Sequence, residues 1–129
     1  MIKPRTLSDL PLPDILQRLA PHVPLVLQVN PDSQRVSRPN HRGVSVPSGL
    51  IICPAEGRHL AMDLISQAQA DGLTPRLEFW GEWRCELFSL GGHGWLSGRG
   101  TDERHPLLHA VAGACLTTYE LRAGRTGWI

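Results

Sequence analysis

Two histidines four residues apart, His105 and His109, are the first side chains in this chain whose types and spacing could do chemistry. On a helix that spacing puts both imidazoles on one face, where they could hold zinc. A metal site needs further ligands, and the candidates are scattered: Cys53, His59, Cys85, His93 and Asp102. No CxxC or HExxH pattern gathers them, and His105 directly precedes Pro106. Exposed surface histidines are the expectation, with no cofactor. The three cysteines could serve as nucleophiles. Cys85 and Cys115 fall at apolar positions, where burial raises a thiol's pKa and makes it unreactive. Cys53 precedes a proline that can open a helix, a setting that favours the thiolate, but no base lies near it in sequence. Gly98-Arg99-Gly100-Thr101 leads towards a helix and could offer amides to a phosphate. It fits neither GxxxxGK(S/T) nor GxGxxG, and Asp102-Glu103 would repel an anion there. A plain strand-to-helix turn is expected, and no catalytic set emerges.

Recognition is the remaining chemistry. Trp80, Trp83 and Trp95 lie near Arg84 and Arg99 in the sequence. One or two of these rings suffice to seal a small core. Any left outside would form, with arginine, the kind of pair favoured at protein interfaces and on stacking surfaces for single-stranded nucleic acid. A second basic group, Arg35, Arg38, His41 and Arg42, falls in the polar stretch 33–43, expected as a solvated loop able to carry contacts. The candidate binding residues are therefore Trp80, Trp95, Arg84, Arg99, Arg35, Arg38 and Arg42.

The elements that must position them centre on 83–122. Trp83, Cys85 and Leu87 alternate with Arg84 and Glu86, the period of a half-buried strand. Gly91-Gly92 supplies a two-residue hairpin turn, Trp95 and Leu96 return, and Gly98-Arg99-Gly100 ends the second strand. Asp102 can accept the first amides of a following helix, and Pro106 suits its first turn. Leu108, Val111, Ala112, Cys115 and Tyr119 recur at helical spacing on one face, and Gly124 caps the end. An apolar-faced hairpin needs a cover, so this amphipathic helix should lie across it.

Upstream, 1–10 reads as a loose arm. A short helix follows over 13–19, with Leu12, Ile15, Leu16 and Leu19 on one side and Pro21 ending it. The stretch 25–29 has strand composition, and Asn30-Pro31-Asp32 forms a turn. The run 50–53 suits a buried strand, and Pro54 opens a helix over about 55–71 with Ala61, Leu64, Ile65 and Ala68 as its stripe and Gly72 as its cap. Leu73-Thr74-Pro75 reads as a connection, 77–80 as another strand, and Gly81 as a bulge or turn.

Composition bounds the rest. With 129 residues the chain is long enough for one domain with a real core. It divides into a Pro-rich extension with a basic loop over 1–54 and a helix–strands–helix core over 55–123. A net charge of +1 gives no general attraction to nucleic acid or acidic membrane. Twelve arginines stand against one lysine, without a long basic block. Three cysteines in apolar settings point to reduced core thiols rather than a disulfide frame. No run approaches the ~20 apolar residues of a membrane span, and the first residues lack the apolar centre of a signal peptide. A soluble, cytoplasmic protein is expected.

Two resemblances arise from the order helix, strands, helix and its ending in GRG-TDERHPLLHAVAGACL. The layout resembles the double-stranded-RNA-binding domain, which implies a lysine cluster at the start of the last helix. Asp102, Glu103, Arg104 and His105 occupy those positions, so RNA binding does not carry over. The segment WRCELFSLGGHGWLSGRGTDERHPLLHAVAGACL is also similar to small phage or prophage proteins with an ABA-sandwich domain. That resemblance covers about half the chain and implies an accessory phage protein without catalytic residues. The combined expectation is an α+β domain, a small, mainly antiparallel sheet with helices packed on it. It would act as a non-enzymatic binder of a host or phage protein. The alternatives are a single-stranded nucleic-acid-binding protein and, behind it, a metal-dependent enzyme. Self-association is compatible with either binding reading.

Overall fold

The computed structural model describes residues 7–29, 36–39, 45–48, 54–89 and 94–124. Along the chain come α1 (Leu12–Leu19), β1 (Gln28–Val29), β2 (Val36–Pro39), β3 (Ser45–Ser48), α2 (Pro54–Ala70), β4 (Leu73–Phe79), β5 (Trp83–Ser89), β6 (Gly94–Arg99) and α3 (Pro106–Arg122). The strands form two antiparallel sheets, β1-β2-β3 and β4-β5-β6, and the fold is α+β. No helix among the described residues is long and apolar enough to cross a membrane.

Local sequence explains most of these elements. Pro13 sits in the first turn of α1, where its missing amide costs nothing, with Asp14 near the positive end and Arg18 near the negative one. Leu12, Ile15, Leu16 and Leu19 are buried, as their spacing requires. On α2, Leu60, Ala61, Leu64, Ile65 and Ala68 face inward. The chain leaves α2 through Gly72 at φ +84°, a conformation that glycine adopts without strain. In β5, Cys85 and Leu87 are buried while Arg84 is exposed, so the alternation reads true. Ser89 pairs with Gly94, the register that a two-residue turn at Gly91-Gly92 would impose. The turn itself lies outside the described residues, as do 1–6, Asn30-Pro31-Asp32 and the run 50–53.

Other expectations need correction. The last helix is not amphipathic: every residue of α3 from Leu108 to Glu120 is buried. β5 and β6 cover one side of it, while α2, α1 and the 3-10 turn Leu7–Asp9 pack on the others. Its threonines are matched locally, Thr117 and Thr118 donating to the carbonyls of Gly113 and Ala114 four residues back. The loose arm is ordered from Leu7, which is buried in the core with Val23, Val26 and Leu27. Strand composition at 25–29 yields only Gln28–Val29, since Val23 accepts hydrogen bonds from the amides of Val26 and Leu27 and turns the chain. Within the expected loop 33–43, Val36–Pro39 is a strand paired with Ser45–Ser48. β4 begins at Leu73 rather than at 77 and ends before Trp80. Pro75 is accommodated because β4 is an edge strand, where the absent amide faces away from β5.

The sheet meets α3 at unusually close range. A Cβ on Gly98 would be driven into the carbonyl oxygen of Ala110 and to 2.5 Å from the amide nitrogen of Ala114. One on Gly100 would strike the carbonyl of Pro106. Backbone rests on backbone there, which only glycine permits. Gly98→Ala should therefore destabilise the protein by about 3 kcal/mol or more. Urea denaturation monitored by far-UV circular dichroism would read that as a drop in the midpoint.

Candidate functional site

Register sorts the β4-β5-β6 side chains into two faces. Leu73, Pro75, Leu77 and Phe79 of β4 share the α3-bearing face with Trp83, Cys85 and Leu87, since Leu77 pairs with Cys85 and Phe79 with Trp83. The opposite, open face carries three cross-strand rows: Thr74, Phe88 and Trp95; Arg76, Glu86 and Ser97; Glu78, Arg84 and Arg99. Two of the three candidate tryptophans thus differ in role from the third. Trp83 packs against the core and is half-buried. Trp95 is 43% exposed on the open face, and Trp80 is 84% exposed in the turn between β4 and β5.

The open face is tied together by charge and aromatic contacts. Trp95 packs on Phe88 with ring centroids 5.2 Å apart, and the Arg76 guanidinium lies 4.4 Å from the Trp95 ring centroid. Arg76 also donates to Glu86 at 2.9 Å and approaches Glu78 at 3.4 Å. Arg99 donates to Glu82 at 2.7 Å. That hydrogen bond holds the Glu82 carboxyl below its ordinary range and raises Arg99 in return. Arg84 stands in the row between Glu78 and Arg99 and helps lower Glu82. The structure therefore brings Trp95, Arg84 and Arg99 onto one face, with Trp80 at its margin. Arg38 lies in β2, in the other sheet, and Arg35 and Arg42 fall outside the described residues.

The two histidines are buried, correcting the expectation of surface residues: His105 is 6% and His109 3% exposed. His109 Nδ1 accepts from the amides of Thr101 and Asp102 at 3.1 and 3.0 Å, and its Nε2 donates to the Leu10 carbonyl at 2.9 Å. Those bonds fix a neutral tautomer with the proton on Nε2 and clamp the strand-to-helix turn to the N-terminal segment. His105 lies at the N-cap of α3, and its ring packs so tightly on Gly57 that a Cβ there would fall 2.5 Å from Nδ1. Asp102 accepts the amides of Arg104 and His105 at 3.0 and 2.7 Å, so it orders the approach to α3 rather than capping its first turn. No group of three or more His, Cys, Asp or Glu among the described residues could hold a metal ion. His59 is exposed, while Cys53 and His93 lie outside the described residues.

A second polar cluster, which sequence reasoning missed, closes the far end of α3. Tyr119 donates to Asp71 Oδ2 at 2.5 Å, His22 stacks on the Tyr119 ring, and His22 Nε2 lies 3.4 Å from Glu120. Arg122 reaches the Asp71 carbonyl and Ser89 Oγ. The cluster joins the ends of α2, α3, β5 and the segment after α1, which is a structural task. Tyr119 and Asp71 are 48 residues apart in the chain, so no local pattern announces the cluster.

With this geometry in view, the chain can be set beside known proteins. No family model, curated protein or solved structure matches it.

Three outcomes follow for the buried ionisable groups. Burial pushes the Cys85 thiol up to about 12, with Glu86 adding to it, and raises Cys115 further. Burial, then the hydrogen bond to Asp71, raises the Tyr119 hydroxyl as well. Folded protein keeps these protons while the unfolded chain begins to shed thiol protons near 9.0. Stability is therefore unaffected by them below about pH 9 and should fall as the pH rises from there towards about 12. Urea midpoints across that window test the slope. Mass spectrometry after maleimide treatment at neutral pH should find Cys85 and Cys115 unmodified until denaturant is added. Tyr119→Phe should lower stability by about 1.5–3 kcal/mol, the net value of a hydrogen bond to a charged group, again read from urea denaturation.

Proposed function

We propose that this is a non-enzymatic binding protein, of phage or bacterial origin, that engages a host protein. Its contact surface in this reading is the open face of the β4-β5-β6 sheet together with the adjoining turn. The observation that carries it is Trp80, 84% exposed, with Phe79 beside it at 59%. Covering a large aromatic side chain is worth about 1.5–3 kcal/mol, which the free chain leaves unrealised at both positions. Phe88 and Trp95 at the far end of the open face, with the Arg76 and Arg84 rows between them and the turn, extend the surface, and tryptophan and arginine are enriched at protein interfaces.

Single-stranded nucleic acid is the competing partner, because Phe88, Trp95 and Arg76 could form a stacking platform. Charge argues against it. Arg76 is held by Glu86 and Arg99 by Glu82, and Glu78 and Glu82 stand beside Arg84. Phosphate would meet a carboxylate beside each of these arginines, and little counterion release would remain to drive binding.

Capture from a bacterial lysate tests the reading. The wild-type chain should retain one stoichiometric protein, and Trp80→Ala should weaken that association by about 30-fold, the loss typical of an interface hot spot. Because Trp80 is exposed, the variant should keep its circular dichroism spectrum and urea midpoint. Oligonucleotide binding that falls steeply with salt, with no protein retained, would replace this reading with the nucleic-acid one.

A further inference from the structure

β4 is an edge strand with a side left open. The Trp80 amide donates to Glu82 and the Gly100 amide to Trp83, which fixes the phase of the sheet's hydrogen bonds. Residues 76 and 78 of β4 turn their backbone groups towards β5, so Leu77 and Phe79 turn theirs outward. Pro75, which has no amide to donate, falls in the outward phase as it must. No strand pairs with β4 on that side among the described residues. Open edges of this kind are templates for another strand unless they are blunted. Here the side chains next to the edge are apolar on one face, Leu77 at 36% and Phe79 at 59% exposure.

We propose that this edge pairs antiparallel with the same strand of a second copy, about a two-fold axis through Leu77. Charge selects both the occupant and the register. Arg76 and Glu78 flank Leu77 on the open face, so the two-fold places each Arg76 opposite the second copy's Glu78. Moving the axis by one residue in either direction sets Arg76 or Glu78 against its own copy, a like-charge pair that destabilises a ladder. In the Leu77 register the two Leu77 residues exchange both backbone hydrogen bonds. Phe79 lies against the second copy's Pro75 and donates its amide to that carbonyl. The other face then carries an unbroken apolar stripe of Pro75, Leu77 and Phe79 from both chains. Pro75 returns no donor, which keeps the ribbon short and the dimer weak. The pairing leaves Trp95, Phe88 and Arg99 uncovered but brings Phe79, beside Trp80, against the second copy, so it borders the surface proposed for a host protein; sedimentation of the purified chain reads it apart from that contact.

Sedimentation velocity of the full chain from about 1 µM to about 1 mM tests the idea. A concentration-dependent dimer is expected, and Leu77→Arg, which opposes two like charges on the axis, should stay monomeric with an unchanged circular dichroism spectrum. Cysteine cross-linking tests the register without a charge change. Across a hydrogen-bonded antiparallel pair the Cα atoms are about 5.5 Å apart, within disulfide reach. Leu77→Cys should therefore form a covalent dimer on mild oxidation. Phe79→Cys should not, its copy lying four residues or about 13 Å along the ribbon, and the parent chain controls for its own thiols. A chain that remains monomeric throughout, or a dimer in which Leu77→Cys cross-links no better than the parent, would overturn the proposal.

Discussion

Everything in this fold depends on α3 being buried on all sides while the sheet approaches it at backbone distance. A helix so placed has no solvent face on which to put polar side chains. It must be built from small and apolar residues, with hydroxyls that satisfy themselves. The sequence of α3 meets that condition: Ala110, Gly113 and Ala114 thin the helix where β6 crosses, and Gly98 in the strand and Gly100 just after it thin the other side. Leu108, Val111 and Leu116 supply the volume elsewhere, each fully buried. The cost of this arrangement is that α3 needs covers on every side. The sheet, α2 and the N-terminal segment with α1 are those covers, which is why distant parts of the chain share one core.

What could be read from sequence, and what could not, follows from the range of the interactions involved. Alternation in 83–87, the stripe on α1 and the glycine that ends α2 are local features, and each appears where its residues place it. The burial of α3 is not local. Alanine, glycine and threonine are neutral in periodicity arguments, so a helix rich in them shows one apolar stripe whether or not its other sides are covered. His109 reads as a surface residue by the same local logic, and Glu120 carries a charge that would suit a solvent face. Both are buried, with His22 beside Glu120 and the Leu10 carbonyl on His109, partners that lie far away in the chain.

The same reasoning explains the split among the tryptophans. Sequence proximity of Trp80, Trp83 and Trp95 marks them as a group, but strand parity divides them. Trp83 follows Cys85 and Leu87 to the helix side, Trp95 follows Phe88 to the open side, and Trp80 escapes the alternation in the turn. Pro75 misled in the opposite sense. Proline normally ends a strand, and it survives inside β4 only because the outward side of an edge strand asks for no donor. Its presence was therefore evidence for an edge as much as against a strand.

The charges on the open face bear on what such a surface can select. An arginine row without carboxylates would attract any polyanion and discriminate poorly. Here Arg76 and Arg99 are held in fixed directions by Glu86 and Glu82, and Arg76 is also braced against Trp95. A partner of the proposed kind would have to bring its own complementary pair to each row or leave these pairs intact, since breaking them leaves a carboxylate unpaired. Exposed ion pairs contribute little to stability by themselves; in the proposed binding role their value would lie in excluding mismatched partners. In the proposed binding role the aromatic rings would supply the area to be covered, and the paired charges would decide which surfaces are admitted to it.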